Sequence, residues 1–302
     1  MRAVTAVVGR IEGAVAVFEP RGWQLACARS ALAAAQVLVL LANPDEVIFA
    51  GGPVCSGVGA IALWCLVEPA ESPAADAVAL LVLAVVLSGF RPRWTCVPHW
   101  YLAFGFAAAC PVANGGDRIA QLATMLLVPL CLGDDRTWQW SRPRAALSPG
   151  WRGAAFAGHL ALRLQVAVVY GYAVVAKFGD PLWRDGRALS VVLTDPNYGA
   201  PWPVLSDLVP APALVGATWL VIATQAVIAV GVLWRPGVAV VAAGVVLHVV
   251  IAAVLNLQAF GLVMAGVLAA CLVRAEDRRN SGGRIPVRRR AVRPIGGDRR
   301  GL

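Results

Sequence analysis

The chain has 302 residues, 59% of them hydrophobic and only 14% charged, with a formal net charge of +9. Soluble domains carry about 25% charged residues, so a water-soluble globule is excluded, and a mean hydropathy of +0.70 points to lipid. The apolar residues form continuous runs, not the alternating segments of about 10 residues that a transmembrane barrel needs. The expected fold is therefore all-α, a polytopic integral membrane helix bundle whose backbone groups pair within each helix.

Residues 1–15 read as a cytoplasmic N-terminal segment. They hold Arg2, Arg10 and Glu12, and no small-residue cleavage site ends a short apolar core before Trp23. The first span is thus expected to stay as an anchor. About eight apolar spans follow, at 23–42, 75–90, 94–113, 118–133, 152–178, 212–233, 237–256 and 259–273. Arginines collect in the loops on one side: Arg2, Arg10 and Arg21; Arg91 and Arg93; Arg136, Arg142, Arg144 and Arg152; Arg235; and the C-terminal tail. The stretch 43–74, on the other side, has no basic residue and carries Asp45, Glu46, Glu68 and Glu71. The positive-inside rule then gives N-in and C-in, in a multi-pass protein of the inner cell membrane. Trp23, Trp94, Trp100, Trp151, Trp183, Trp202 and Trp234 mark the interfaces. The prolines of 179–211 make it an irregular extracytoplasmic segment with one short interfacial helix near 185–193. The tail, 274–302, holds ten arginines against Glu276, Asp277 and Asp298, has no apolar period, and is expected to be disordered against the anionic inner leaflet. It lacks the aromatic or fold support of a nucleic-acid site.

Lys177 is the only lysine, and it stands near the end of an apolar run. Lysine can lose its proton when desolvated, whereas arginine stays charged. Helical spacing puts His159, Arg163, Tyr170 and Lys177 on one face of the 152–178 span, a stripe of about 27 Å. The stripe fits a lined cavity or proton path ending at Lys177. It fits equally a structural face in which Arg163 pairs with a carboxylate or carbonyl and Lys177 snorkels outward.

Asn114-Gly115-Gly116-Asp117 reads as a tight outer turn, with Asp117 either facing Lys177 or pairing with Arg118. His99 and His248 sit within spans, where a lone histidine commonly bonds a neighbouring helix. No histidine or cysteine spacing matches a metal site. Of seven cysteines, Cys55 and Cys65 alone lie in the arginine-free outer loop, where a disulfide between them is expected. Asp134, Asp135 and Arg136 with Trp138 and Trp140 read as an interfacial anchor.

Several segments resemble a known family. The run from Arg163 to Tyr170, then Lys177, then Trp183-Arg184-Asp185-Gly186-Arg187-Ala188-Leu189, resembles the signature of the HTTM membrane domain of vitamin K-dependent gamma-carboxylase and its bacterial relatives. Trp23 with Ala28-Arg29-Ser30, Arg91-Pro92-Arg93 before Pro98-His99-Trp100, Gly115-Gly116-Asp117, Pro129 to Arg136, and Thr218-Trp219 resemble its sporulation-delaying protein B branch. The resemblance covers residues 16–273. It implies an extracytoplasmic site in which Lys177 is a base or cationic anchor near a membrane quinone. Tyr170 and Arg163 would line the path, Asp117 and Asp185 set the field, and His99 stand behind them. For the branch it implies maturation or export of a secreted antimicrobial peptide, with a peptide precursor and a small partner protein. A lumenal propeptide-binding domain like that of the carboxylases is missing from the pattern, which argues against glutamate carboxylation. A peptide carrier, an immunity receptor and a proton or ion transporter remain compatible with the same polar stripe.

Overall fold

An apolar run in lipid has one inexpensive conformation, the helix, because every unpaired backbone group there costs several kcal/mol. The computed structural model describes residues 2–67, 73–112, 114–195, 208–234 and 236–273, and it is helical throughout its long elements. These are α1 (Arg2–Ala16), α2 (Trp23–Ala42), α3 (Asp45–Ile48), α4 (Leu63–Leu66), α5 (Pro73–Ser88), α6 (Pro92–Ala109), α7 (Gly115–Cys131), α8 (Pro149–Gly179), α9 (Pro181–Arg184), α10 (Ala188–Val192), α11 (Ala211–Trp234), α12 (Val238–Leu255) and α13 (Gln258–Cys271). Four of them, α2, α8, α11 and α12, are long and apolar enough to cross a membrane, and α5 and α13 are shorter apolar helices. The tail 274–302, Arg235, Glu68, Glu71 and the proline-rich 196–207 part of the irregular segment lie outside the described residues.

Every apolar segment anticipated from sequence is a helix, with ends shifted by a few residues. Proline at the first turn sets the starts of α6 and α8, where its missing N–H removes nothing the helix uses. The short element anticipated near 185–193 is α10. Helix α1 is an addition to the expected layout. It exposes Val7, Val8 and Ile11, and Arg152 at the start of α8 donates to Ala16 O at 2.5 Å.

The central helix is α13, which packs against α2, α7, α8 and α12 and is buried along most of its short length. Its Gly261 lets α12 come close: a Cβ there would lie 3.0 Å from His248 O. Gly158 does the same between α8 and α7, where a Cβ would meet Pro129 Cγ at 2.5 Å. Small residues at such crossings are the usual route to tight packing in lipid. A second cluster joins α2, α5 and α6 to the 43–67 loop through Phe49, Trp64 and Phe106. A disulfide between Cys55 and Cys65 staples that loop. Around the outside, Val168, Tyr172, Val175, Val230 and Val249 are exposed, an apolar rim suited to acyl chains.

Candidate functional site

Helices α7 and α8 run antiparallel, since Gly158 near the start of α8 meets Pro129 near the end of α7. Lys177 at the end of α8 and Asn114 before α7 therefore share one end of the bundle. There the C-termini of α2, α6 and α12 and the N-termini of α7 and α13 surround an open vestibule of about 710 Å³. Its floor narrows to a slit of about 20 Å³ between Gln36, Trp64, Phe106 and Phe260, room for about one water.

Local sequence explains the shape. Asn114 caps α7, accepting from Gly116 N at 2.7 Å, and Asp117 Oδ2 accepts in return from Asn114 N at 2.9 Å. This capping box holds the Asp117 carboxylate on the wall of both vestibule and slit. Gly116 admits Phe260, whose Cδ2 would stand 3.1 Å from an added Cβ. Gln36 Oε1 is buried in the slit without a hydrogen-bond partner. Trp64 is fixed over α5 by Nε1 donating to Asp76 Oδ1 at 2.8 Å.

Behind Phe260 lies a second polar pair. Tyr170 is almost fully buried, and its hydroxyl meets His248 Nε2 at 2.7 Å. His248 packs edge-on against Phe260 at 5.3 Å, so one ring separates this pair from the vestibule. The Tyr170 oxygen and His248 nitrogen can share a proton.

The remaining candidates are dispersed. Half-buried Lys177 sets Nζ 4.7 Å from the centre of the Trp183 ring, a cation–π arrangement. Lys177 lines neither the vestibule nor the slit, and among the described residues Asp117 forms an ion pair with neither Lys177 nor Arg118. Asp185 lies on the surface and meets Arg187 at 3.4 Å. Arg163 caps the last turn of α11, donating to Val232 O at 2.6 Å and Leu233 O at 2.5 Å. His159 stacks on Phe18 at 5.4 Å. His99 is buried on α6 with Nε2 unpartnered, far along the helix from the vestibule. The six proposed positions thus do not converge on Lys177, and the polar stripe of α8 is divided among four neighbours.

The opposite end holds a network that the sequence reading passed over. Arg29 is 1% exposed and donates to Gln139 Oε1 at 2.6 Å and to Thr95 Oγ1 at 2.7 Å. Gln139 Nε2 donates to Ser30 Oγ at 2.9 Å, and Gln139 N donates to Gly89 O at 2.8 Å. Gly89 has φ of 83°, and a Cβ there would strike Gln139 Cγ at 2.4 Å, so only glycine fits. The 134–141 segment is therefore clamped into the bundle by Gln139 and also carries the surface tryptophans Trp138 and Trp140. The missed signal was an arginine inside the apolar 23–42 run, an intramembrane charge that asks for a partner. Beside it, Arg21 donates to both oxygens of Glu19, at 2.7 and 2.8 Å, and to Ala145 O at 2.6 Å. Burial pushes the Glu19 carboxyl up, but the hydrogen bonds and charge of Arg21 outweigh it and hold the group below its ordinary range.

No protein-family model matches the chain, and no solved structure matches it. Among curated proteins, the sporulation-delaying protein SdpB of Bacillus subtilis strain 168 is 24% identical over 273 residues, covering 87% of this chain and 84% of SdpB. The uncharacterized protein YitO of the same organism is 31% identical over 256 residues, covering 80% of this chain and 82% of YitO. With that identity sustained along most of both proteins, the chain belongs to the family of YitO.

Proposed function

We propose that this chain is a multi-pass cell-membrane protein, with about eight crossings and both termini in the cytoplasm, that acts in producing a secreted toxin peptide of the sporulation-delaying kind. The observation that carries this is the likeness to SdpB across 87% of the chain. In this reading residues 16–273 form the membrane domain. The basic 274–302 tail lies along the inner leaflet, and a peptide precursor and a small partner protein are the working partners.

Two features support the orientation. The Cys55–Cys65 disulfide belongs to an oxidising compartment, and the arginine-rich loops gather at the Arg29 end. The vestibule then opens to the extracytoplasmic side, where a secreted peptide is handled. A quinone is the cofactor suggested by the family resemblance around Lys177. The Lys177 ammonium rests on Trp183, and Val175 and Phe178 beside it face outward. No redox step is derived there, and Lys177 is read as a positioned cation.

The test is deletion of the gene in its native host, with peptide mass spectrometry and growth-inhibition assays on the culture supernatant. A mature secreted peptide should vanish and return with the intact gene. A supernatant unchanged by the deletion would overturn the assignment.

A further inference from the structure

The vestibule has a one-sided chemistry. Its walls are mostly apolar, and among the described residues the charged side chain lining it is Asp117, while no lysine, arginine or histidine lines the vestibule or its slit. The slit at the floor is lined by two acceptors open to a ligand, the Asp117 carboxylate and the unpartnered Gln36 Oε1. One Asp117 oxygen is engaged by Asn114 N, leaving Oδ1 for another donor. Backbone dipoles add to the bias. Three helices, α2, α6 and α12, end at the vestibule, and two, α7 and α13, begin there. Each C-terminus carries about half a negative charge, and the carboxylate of Asp117 already offsets the positive end of α7. The volume of about 710 Å³ falls within the range of small-ligand sites.

Apolar walls with a negative floor select an apolar body that ends in a cationic donor. We propose that the vestibule binds the free amino terminus of an apolar peptide, with the ammonium donating to Asp117 and Gln36 and the first side chains packing on Val39, Phe106 and Phe260. The choice of a peptide over another cationic amphiphile rests on the proposed role in toxin-peptide production. The negative floor disfavours a carboxyl terminus or a phosphate, because a like charge at close range in a partly dry site is repelled.

The full chain in lipid nanodiscs, probed with a short synthetic leucine–alanine peptide bearing a fluorophore at its carboxyl end, tests this by anisotropy. The N-acetylated peptide should bind about tenfold more weakly than the free amine, the loss of one charge-assisted hydrogen bond. Asp117→Asn should erase that difference, and Ala259→Trp, which fills the vestibule without touching the capping box, should abolish binding of the free amine. Equal binding of the two peptides, or discrimination that survives both substitutions, overturns the proposal. Tighter binding of dodecylamine than of the free-amine peptide overturns the choice of a peptide. The deletion assay is separate: discrimination without any effect on secreted peptide leaves this site standing while the production role falls, and the reverse result does the opposite.

Discussion

Arg29 and Gln139 lie 110 positions apart in sequence and meet at 2.6 Å inside the bundle, the guanidinium of one on the amide oxygen of the other. No carboxylate forms an ion pair with Arg29 among the described residues. Its charge is carried by neutral acceptors. Removing one leaves a buried donor of a charged group unsatisfied, at a cost of about 1.5–3 kcal/mol. Gln139→Leu should therefore lower the thermal midpoint of the purified protein by several degrees, while Gln139→Glu, which offers a counter-charge, should lower it less. Fluorescence melts in detergent measure this. A Gln139→Leu midpoint equal to wild type would show that the network is not stabilising.

Near the same end, the pairing of Glu19 with Arg21 makes stability depend on acid. The Glu19 carboxyl is held below its ordinary 4.5, so the pair contributes fully above that value. The contribution is lost as the pH falls through the folded-state pKa. Wild type should melt above Glu19→Gln at neutral pH, and the two curves should draw together as the pH falls below the ordinary 4.5 and through the lowered folded-state pKa. Coincident curves at neutral pH would mean the pair adds nothing, and an offset that stays constant on acidification would mean its contribution does not come from the Glu19 charge.

Seven cysteines give a chemical readout of the 43–67 loop. Five are free, and Cys55 and Cys65 are joined. After denaturation without reductant, maleimide should modify Cys27, Cys96, Cys110, Cys131 and Cys271 and spare the other two until a reductant is added. Removing the bridge by Cys55→Ser with Cys65→Ser should cost about 2–4 kcal/mol and loosen Trp64 from α5. Peptide mapping that finds label on Cys55 in the unreduced protein would contradict the pairing.

At Lys177 the ammonium rests on the indole of Trp183, and no carboxylate forms an ion pair with it among the described residues. Arginine can occupy the face of an aromatic ring as well as lysine can. Lys177→Arg should therefore keep toxin-peptide output near wild type, and Lys177→Ala should lower it at equal protein level. Loss of output in Lys177→Arg, with the protein still accumulating, would instead mean that the residue gives up a proton.

Much of the helical layout was legible from sequence because lipid removes the usual ambiguity. An apolar run must be a helix, so 152–178 became Pro149–Gly179 and 75–90 became Pro73–Ser88. What surrounds each helix was not legible. His159, Arg163, Tyr170 and Lys177 do share a face of α8, but over a length of about 27 Å that face meets Phe18, the end of α11, His248 and Trp183 in turn. A periodicity records which residues look the same way, not what they look at. Asp117 shows the same limit. Its place in a tight turn was readable from Asn114-Gly115-Gly116, whereas its place on a cavity wall depended on Phe260 from α13.

Helix α13 is the shortest of the long apolar helices and among the most enclosed, and burial continues past its end to Leu272 and Val273. The chain thus leaves the bundle from its axis, next to α2 and α8, and not from its rim. A protein or a lipid surface gripping the arginines beyond Val273 would pull on a helix that packs against α2, α7, α8 and α12. Its opposite end, at Phe260, forms the floor of the vestibule. The cavity floor and the last described turn of the chain are the two ends of a single short rod.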